Sequence, residues 1–246
     1  LSVLQSGYLA NVQCVEAWCP MTAEFYAEYL KPGVTSRQKQ LLYIMNPNKF
    51  SRTCEYLVRT HMERNDKVII FGDNVFSLRQ YATLLQVPYI YGATPESERA
   101  RILGTFRVNP LVNCIGLSKV GDTSIDIPEA NVIIQASDGL PNVDGGFNAF
   151  FYTLVSTDTA EMYYSSKRQQ YLVDQGYTFK VVTELVHAAD RSQSHLPDRR
   201  SELALLVSTL NAKTDAEEKE EKKILDRDMD DIGEGSARGT VSLQGG

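Results

Sequence analysis

The chain has 246 residues, 43% of them hydrophobic and 23% charged, with a net charge of −6. This is the composition of a globular protein long enough to bury a sizeable core, and no run approaches 18 apolar residues, so no segment reads as a membrane span. The acidic balance argues at first against a nucleic-acid partner, but residues 213–231 hold nine acids and five bases, leaving the remainder at −2, where a local basic groove is still possible.

Residues 8–19 read as extended. Thr22 suits the N-cap of a helix through Leu30, with Phe25 and Tyr29 on one face, and Pro32-Gly33 ends it. A helix through residues 40–44 is broken at Pro47. Asn46-Pro47 then reads as an N-cap followed by Pro at the first helical position. The next helix places Phe50, Cys54, Leu57, Val58 and His61 on one stripe, the pattern of a core-facing helix.

From there strand and helix signals alternate. Residues 67–71 predict a strand ending at Gly72-Asp73-Asn74. Val75, Leu78, Ala82 and Leu85 mark a helix, and residues 89–91 a short strand. Thr94-Pro95 opens a helix whose Glu96 and Glu98 suit the positive end of the macrodipole. Strands come next at 112–117, 131–136 and 149–155. Asp158 with Glu161 fits a helix start, Gly176 a helix stop, and 177–182 a last strand. Such alternation, with continuously apolar strands, predicts a parallel sheet covered by helices on both faces. Beyond residue 185 the order weakens. Residues 201–210 read as a short helix, 213–231 as a charged spacer, and 233–246 as a Gly/Ser-rich, disordered end.

Cys14, Cys19, Cys54 and Cys114 lack metal-ligand spacing and read as buried thiols, and His61, His187 and His195 are scattered, so no metal site is expected. The sequence starts at Leu1 with neither an initiator Met nor a signal-peptide pattern, which reads as a fragment or a processed product.

The most informative stretch is 118–128, Ser-Lys-Val-Gly-Asp-Thr-Ser-Ile-Asp-Ile-Pro, between two apolar strands. Small and polar residues at a strand end let backbone N–H groups face a phosphate, with Lys119, Asp122 and Asp126 able to assist. The same spacing also suits an ordinary strand connection with acidic turn residues.

This loop, Lys67-Val-Ile-Ile-Phe-Gly-Asp-Asn-Val-Phe and Tyr89-Ile-Tyr-Gly-Ala-Thr together resemble the C-terminal RecA-like lobe of superfamily-two helicases. Val12-Gln-Cys-Val-Glu-Ala-Trp-Cys-Pro-Met, Met45-Asn-Pro-Asn-Lys-Phe, Asn148-Ala-Phe-Phe-Tyr-Thr-Leu-Val-Ser and the stretch from Lys167 to Val181 narrow the resemblance to the XPB family, DNA translocase subunits of the transcription and repair factor TFIIH. It covers roughly residues 5–185. It implies a RecA-like α/β lobe over 1–185 with a small thumb-like helical insertion at 20–45, and residues 186–246 read as a C-terminal extension, largely charged or disordered, with a flexible acidic tail. It also implies a nuclear protein that opens DNA in transcription initiation and nucleotide excision repair.

The resemblance places Gly121 and Asp126 near the nucleotide, and Ser118 and Lys119 near the phosphates of a DNA strand. Asp73, Asn74 and Thr94 would lie along the DNA track. The insertion would grip DNA through Lys31, Arg37 and Lys39, set among Phe25, Tyr26 and Tyr29. An aromatic core with solvated cations is the competing reading of that insertion, and a solvated helix face is the favoured reading of Lys167 and Arg168. The implied partners are DNA, an N-terminal RecA-like lobe and TFIIH-like subunits.

ATP and Mg²⁺ would bind the full-length protein. No G-x-x-x-x-G-K-[ST] occurs in this chain, so it is expected to hold no cofactor alone, to carry no catalytic residue and to be inactive by itself. The family places an Arg-rich segment after the strand at 131–136, whose arginines reach the γ-phosphate. Here Gly139 runs directly into Leu140-Pro-Asn-Val-Asp-Gly-Gly, with roughly twenty family residues missing. Either the sequence omits that stretch or the protein lacks its arginine fingers. The in-family pattern on both sides favours omission, whereas a real loss would make the lobe a non-catalytic scaffold. A small-molecule α/β enzyme is disfavoured because no Gly-rich first strand–helix turn is present.

Overall fold

The computed structural model describes residues 12–118, 127–136, 149–188 and 194–212. Lys119, Gly121 and Asp126, the Gly139–Leu140 junction and the charged tail from 213 onward lie outside the described residues. The chain divides after Leu210, and the unit up to Leu210 contains every strand and helix described.

Among the described residues seven strands form one all-parallel sheet. They are β1 (Val12–Cys19), β2 (Val68–Phe71), β3 (Tyr89–Ile90), β4 (Cys114–Leu117), β5 (Val132–Gln135), β6 (Ala149–Ser156) and β7 (Thr178–Val182). Their order across the sheet is β3-β4-β2-β5-β6-β1-β7. The helices are α1 (Ala23–Leu30), α2 (Ser36–Ile44), α3 (Glu55–Glu63), α4 (Val75–Leu85), α5 (Glu96–Val108), α6 (Glu161–Asp174), α7 (Leu185–Ala188) and α8 (Arg199–Leu210).

The parallel sheet expected from the alternation is therefore present. β2 and β4 are buried along their whole length, as strands covered on both faces must be. Ile69, Phe71, Ile90, Ile102, Phe106, Ile115 and Leu117 make one core between α5 and the sheet. Fully burying a side chain such as Phe106 contributes about 1.5–3 kcal/mol. Gly116 is required by a close approach: a Cβ there would meet Leu78 Cδ1 at 3.0 Å and Tyr89 Cβ at 3.1 Å.

Two local expectations are corrected. Asp158 does not cap the helix after it. It sits at φ 60°, and Thr159 Oγ1 instead accepts the Glu161 N–H at 3.2 Å. Thr22 is the N-cap of α1 by backbone geometry, but its hydroxyl makes no capping bond. The stretch after Pro47 is also unlike an ordinary helix start. Asn46 does cap it, with its side-chain oxygen accepting from Asn48 N at 3.2 Å. Residues Asn48–Cys54 then run as a wide π-helical stretch, wholly buried, before α3 continues regularly. π-helical turns are rare and concentrate at functional sites.

Candidate functional site at the carboxyl edge of the sheet

All strands being parallel, their carboxyl ends share one edge, the place where open α/β sheets bind ligands. One register row crosses the whole sheet: Ile90, Leu117, Phe71, Gln135, Thr153, Glu16 and Val181. β1 and β6 extend beyond it to Cys19 and Ser156. The edge thus steps up on the side where the α1–α2 insertion is attached.

The candidate residues fall along this edge. Asp73 and Asn74 come directly after β2, and both are half-buried. Asn74 Oδ1 accepts from Ser77 N at 2.9 Å, so that oxygen is engaged in capping α4. Thr94 is 8% exposed, and its hydroxyl accepts the Tyr91 N–H at 3.0 Å. Ser118 comes directly after β4 and is buried. Its N–H donates to Ile90 O at 3.0 Å, while its hydroxyl has no partner among the described residues. Gln135, at the end of β5, is 1% exposed, with both amide atoms unpartnered among the described residues. Gln135 had no signal in the sequence beyond ending an apolar strand. Unpaired buried polar atoms are costly, and Ser118 and Gln135, whose side-chain polar atoms have no partner among the described residues, both stand at this edge. The edge can therefore offer hydroxyl and amide donors to a phosphate-bearing ligand.

α1 and α2, which fall within the expected insertion, follow β1 at this edge. Phe25 and Tyr29 are buried, and the Tyr29 hydroxyl accepts the Ala160 N–H at 3.0 Å. Lys31 is exposed and pairs with Glu28 at 2.7 Å. Lys39 lies over the Tyr29 ring, 5.1 Å from its centroid. Arg37 is placed at the start of α2, which opens with a reciprocal capping box between Thr35 and Gln38. Lys167 sits on an exposed face of α6, 4.4 Å from the centre of the Tyr163 ring.

The base of the insertion is a polar cluster that the sequence did not reveal. Lys49 and Glu161, both buried, pair at 2.5 Å, and the second Glu161 oxygen accepts the Ser156 N–H at 2.7 Å. Asn46 Nδ2 donates to Cys19 O, Pro20 O and Ser156 Oγ, and Asn48 Nδ2 to Pro20 O. This cluster ties the chain on either side of the insertion to the ends of β1 and β6. A second buried carboxylate, Glu16, takes bonds from Trp18 and from Ser165 of α6.

The four cysteines are free and buried. Burial pushes the Cys14 thiol up to about 11 and Cys19 up to about 12, so neither is a nucleophile at neutral pH. Among the described residues no cluster of His, Cys, Asp and Glu is arranged to hold a metal.

The family model described as "ERCC3/RAD25/XPB C-terminal helicase" matches residues 3–142 and 140–238. The two matched segments meet immediately after Gly139. Over 240 residues the chain is 50% identical to the general transcription and DNA repair factor IIH helicase/translocase subunit XPB2 of Arabidopsis thaliana, covering 87% of this chain and 31% of that protein. Over 202 residues it is 53% identical to the corresponding XPB/SSL2 subunit of Saccharomyces cerevisiae, covering 75% of this chain and 24% of that protein. The chain thus spans a third or less of the length of these curated relatives. The Sulfolobus solfataricus SWI2/SNF2 ATPase core domain superposes with a TM-score of 0.53 at 22% identity, over 68% of this chain and 43% of that one. That likeness establishes the RecA-like fold.

Proposed function

This chain belongs to the ERCC3/RAD25/XPB C-terminal helicase family, and on that premise we propose that it is the second motor lobe of an ATP-dependent DNA translocase. The full-length protein would work in the nucleus within a TFIIH-like complex, opening DNA in transcription initiation and nucleotide excision repair. The observation that carries the reading is the coincidence of Ser118, Asp73, Asn74 and Thr94 on the carboxyl edge of a parallel sheet, in a chain half identical to named translocase subunits.

In this reading the edge faces an N-terminal lobe that supplies the phosphate-binding Gly-rich loop. Bound ATP, with Mg²⁺, provides the phosphoryl bond whose cleavage drives the lobes apart. Gly121 and Asp126 would serve the nucleotide. Ser118 and Lys119 contact phosphates of one DNA strand, and Asp73, Asn74 and Thr94 line the same track. Lys31, Arg37 and Lys39 grip the duplex from the insertion. Contacts to the backbone rather than base edges make stepping independent of sequence.

A scaffold role within the same complex is the second reading, favoured by the missing Arg-rich segment after Gly139. The meeting of the two family-model segments at that point supports the view that relatives carry residues there which this sequence lacks. Sequencing the coding region across the Gly139–Leu140 junction separates the readings, restored arginines favouring the motor, and charge reversal at Lys119 in the full-length protein tests the phosphate contact. Loss of one phosphate contact should lower the salt slope of DNA binding by about one and uncouple ATP hydrolysis from movement. Translocation at the wild-type rate in the Lys119→Glu protein rejects the assigned role.

A further inference from the structure

Residues 194–210 lie beyond the last strand, yet they bind back onto the insertion and its base. α1 and α2 pack against each other, and both pack against α8. Leu205, Leu206 and Thr209 of α8 are buried. Asp198 caps this helix, its carboxylate accepting the Ser201 N–H at 2.8 Å. From the first turn of α8, Arg199 Nε donates to Glu24 of α1 at 2.8 Å. One turn on, Glu202 pairs with Arg52 of the π-helical stretch.

The segment leading into α8 is fastened to the same stretch. Ser194 and Ser51 share a hydroxyl–hydroxyl bond at 2.5 Å. The His195 N–H donates to Glu55 Oε2 at 3.2 Å, and its ring Nδ1 lies 2.9 Å from Glu55 Oε1. The π-helical stretch is itself anchored by the Lys49–Glu161 pair. α8 therefore bridges the fixed base of the insertion and its projecting helices.

The bridge combines a buried contact with exposed ones, the Arg52 and Glu202 side chains being only 8% and 14% exposed. The Arg199 side chain is 77% exposed and His195 47%. Exposed ion pairs are weak and salt-sensitive, so the Arg199–Glu24 arm of the brace yields readily while the Arg52–Glu202 arm holds.

We propose that α8 is a positioning element of the DNA grip: its contacts to Glu24, Arg52 and the insertion helices set the orientation in which Lys31, Arg37 and Lys39 meet the phosphates. This rests on the reading of the insertion as a DNA contact. α8 touches no DNA itself. It acts through the insertion, and the sequence beyond residue 185 thereby has a role in motor coupling rather than serving as spacer alone.

The test uses the full-length protein with double-stranded DNA of random sequence. Glu202→Lys and Arg199→Glu remove the brace at two independent points, and Arg199→Glu with Glu24→Arg rebuilds the second with reversed charges. Lys31→Glu with Lys39→Glu tests the insertion directly. Each brace variant is expected to weaken DNA affinity and to lower base pairs moved per ATP by about two- to thirtyfold, the range of mutations that act without touching the ligand. The melting temperature should stay near wild type in the Arg199→Glu protein and fall in Glu202→Lys, which leaves the buried Arg52 unpaired, and the charge-swapped pair should recover affinity and step ratio.

Wild-type affinity and step ratio in both brace variants, with the Lys31/Lys39 protein impaired, overturn the inference and leave the DNA reading standing. Wild-type behaviour of the Lys31/Lys39 protein as well overturns both. Should Glu202→Lys fail to fold, the surface Arg199→Glu protein and its swap still decide the matter.

Discussion

Glu161→Ala is expected to destabilise the folded chain by about 3–5 kcal/mol, measured by urea unfolding, because it leaves the Lys49 ammonium buried and unpaired. Lys49 is 0% exposed and Glu161 2% exposed, so water cannot replace the lost partner. The same change strips the acceptor from the Ser156 N–H. Against a total stability of about 5–15 kcal/mol for a natural domain, that is a large share. The double replacement Lys49→Met with Glu161→Leu should cost far less, since an apolar pair of similar size avoids the desolvation that the ion pair had to overcome. A loss under about 1 kcal/mol in the single variant would show that the pair is not sequestered as described.

The location of the pair gives this result a functional edge. Lys49 stands at the start of the π-helical stretch, and Glu161 opens α6. Their union, with Asn46 and Asn48, ties the chain after α2 to the ends of β1 and β6. A partly destabilised variant should therefore lose order at the insertion before the β2–β4–β5 core, which hydrogen exchange can resolve.

The second large effect concerns the grip itself. Replacing Lys31, Arg37 and Lys39 together with Gln in the full-length protein should reduce the slope of log affinity against log salt by about 2–3, at about 0.9 per phosphate contact. The loss should be the same for unrelated DNA sequences, because phosphate contacts carry no base information. The Lys31–Glu28 pair does not argue against this, because an exposed pair is worth only about 0.2–1 kcal/mol and yields readily to a phosphate. Lys39 lies over the Tyr29 ring, with its ammonium 5.1 Å from the ring centroid. An unchanged slope would return the insertion to the competing reading, an aromatic core with solvated cations.

Much of the fold was legible because parallel strands covered on both faces write their burial into the sequence. Val68–Phe71 and Cys114–Leu117 are apolar without alternation, and both are buried throughout. The stripe Phe50, Cys54, Leu57, Val58 and His61 is buried as its spacing implied. Spacing shows which face is hidden but not what hides it. Lys49 and Glu161 are 112 residues apart, and a Lys beside Pro47 reads locally as solvent-facing. The widening of the helix after Pro47 brings every side chain of Asn48–Cys54 into the interior, and no propensity rule signals that.

The carboxyl edge was legible in part. Asp73, Asn74, Thr94 and Ser118 were singled out by the family resemblance, and Asp73, Asn74 and Ser118 stand directly after β2 and β4. Gln135 was missed because, as the last residue of an apolar strand, it looked like a simple boundary. The brace by α8 was missed because α8 is apolar on two sides. Leu205 and Leu206 are buried, while Leu203 and Val207 are exposed, so no single stripe pointed to a partner.

The reading as half of a two-lobed motor is tested most directly by DNA-stimulated ATP hydrolysis, measured side by side for the full-length protein and for this 246-residue chain. The expected result is hydrolysis by the full-length protein that rises on adding double-stranded DNA, and none by the chain alone at any DNA concentration. Turnover by the isolated chain, or a full-length protein indifferent to DNA, would contradict it.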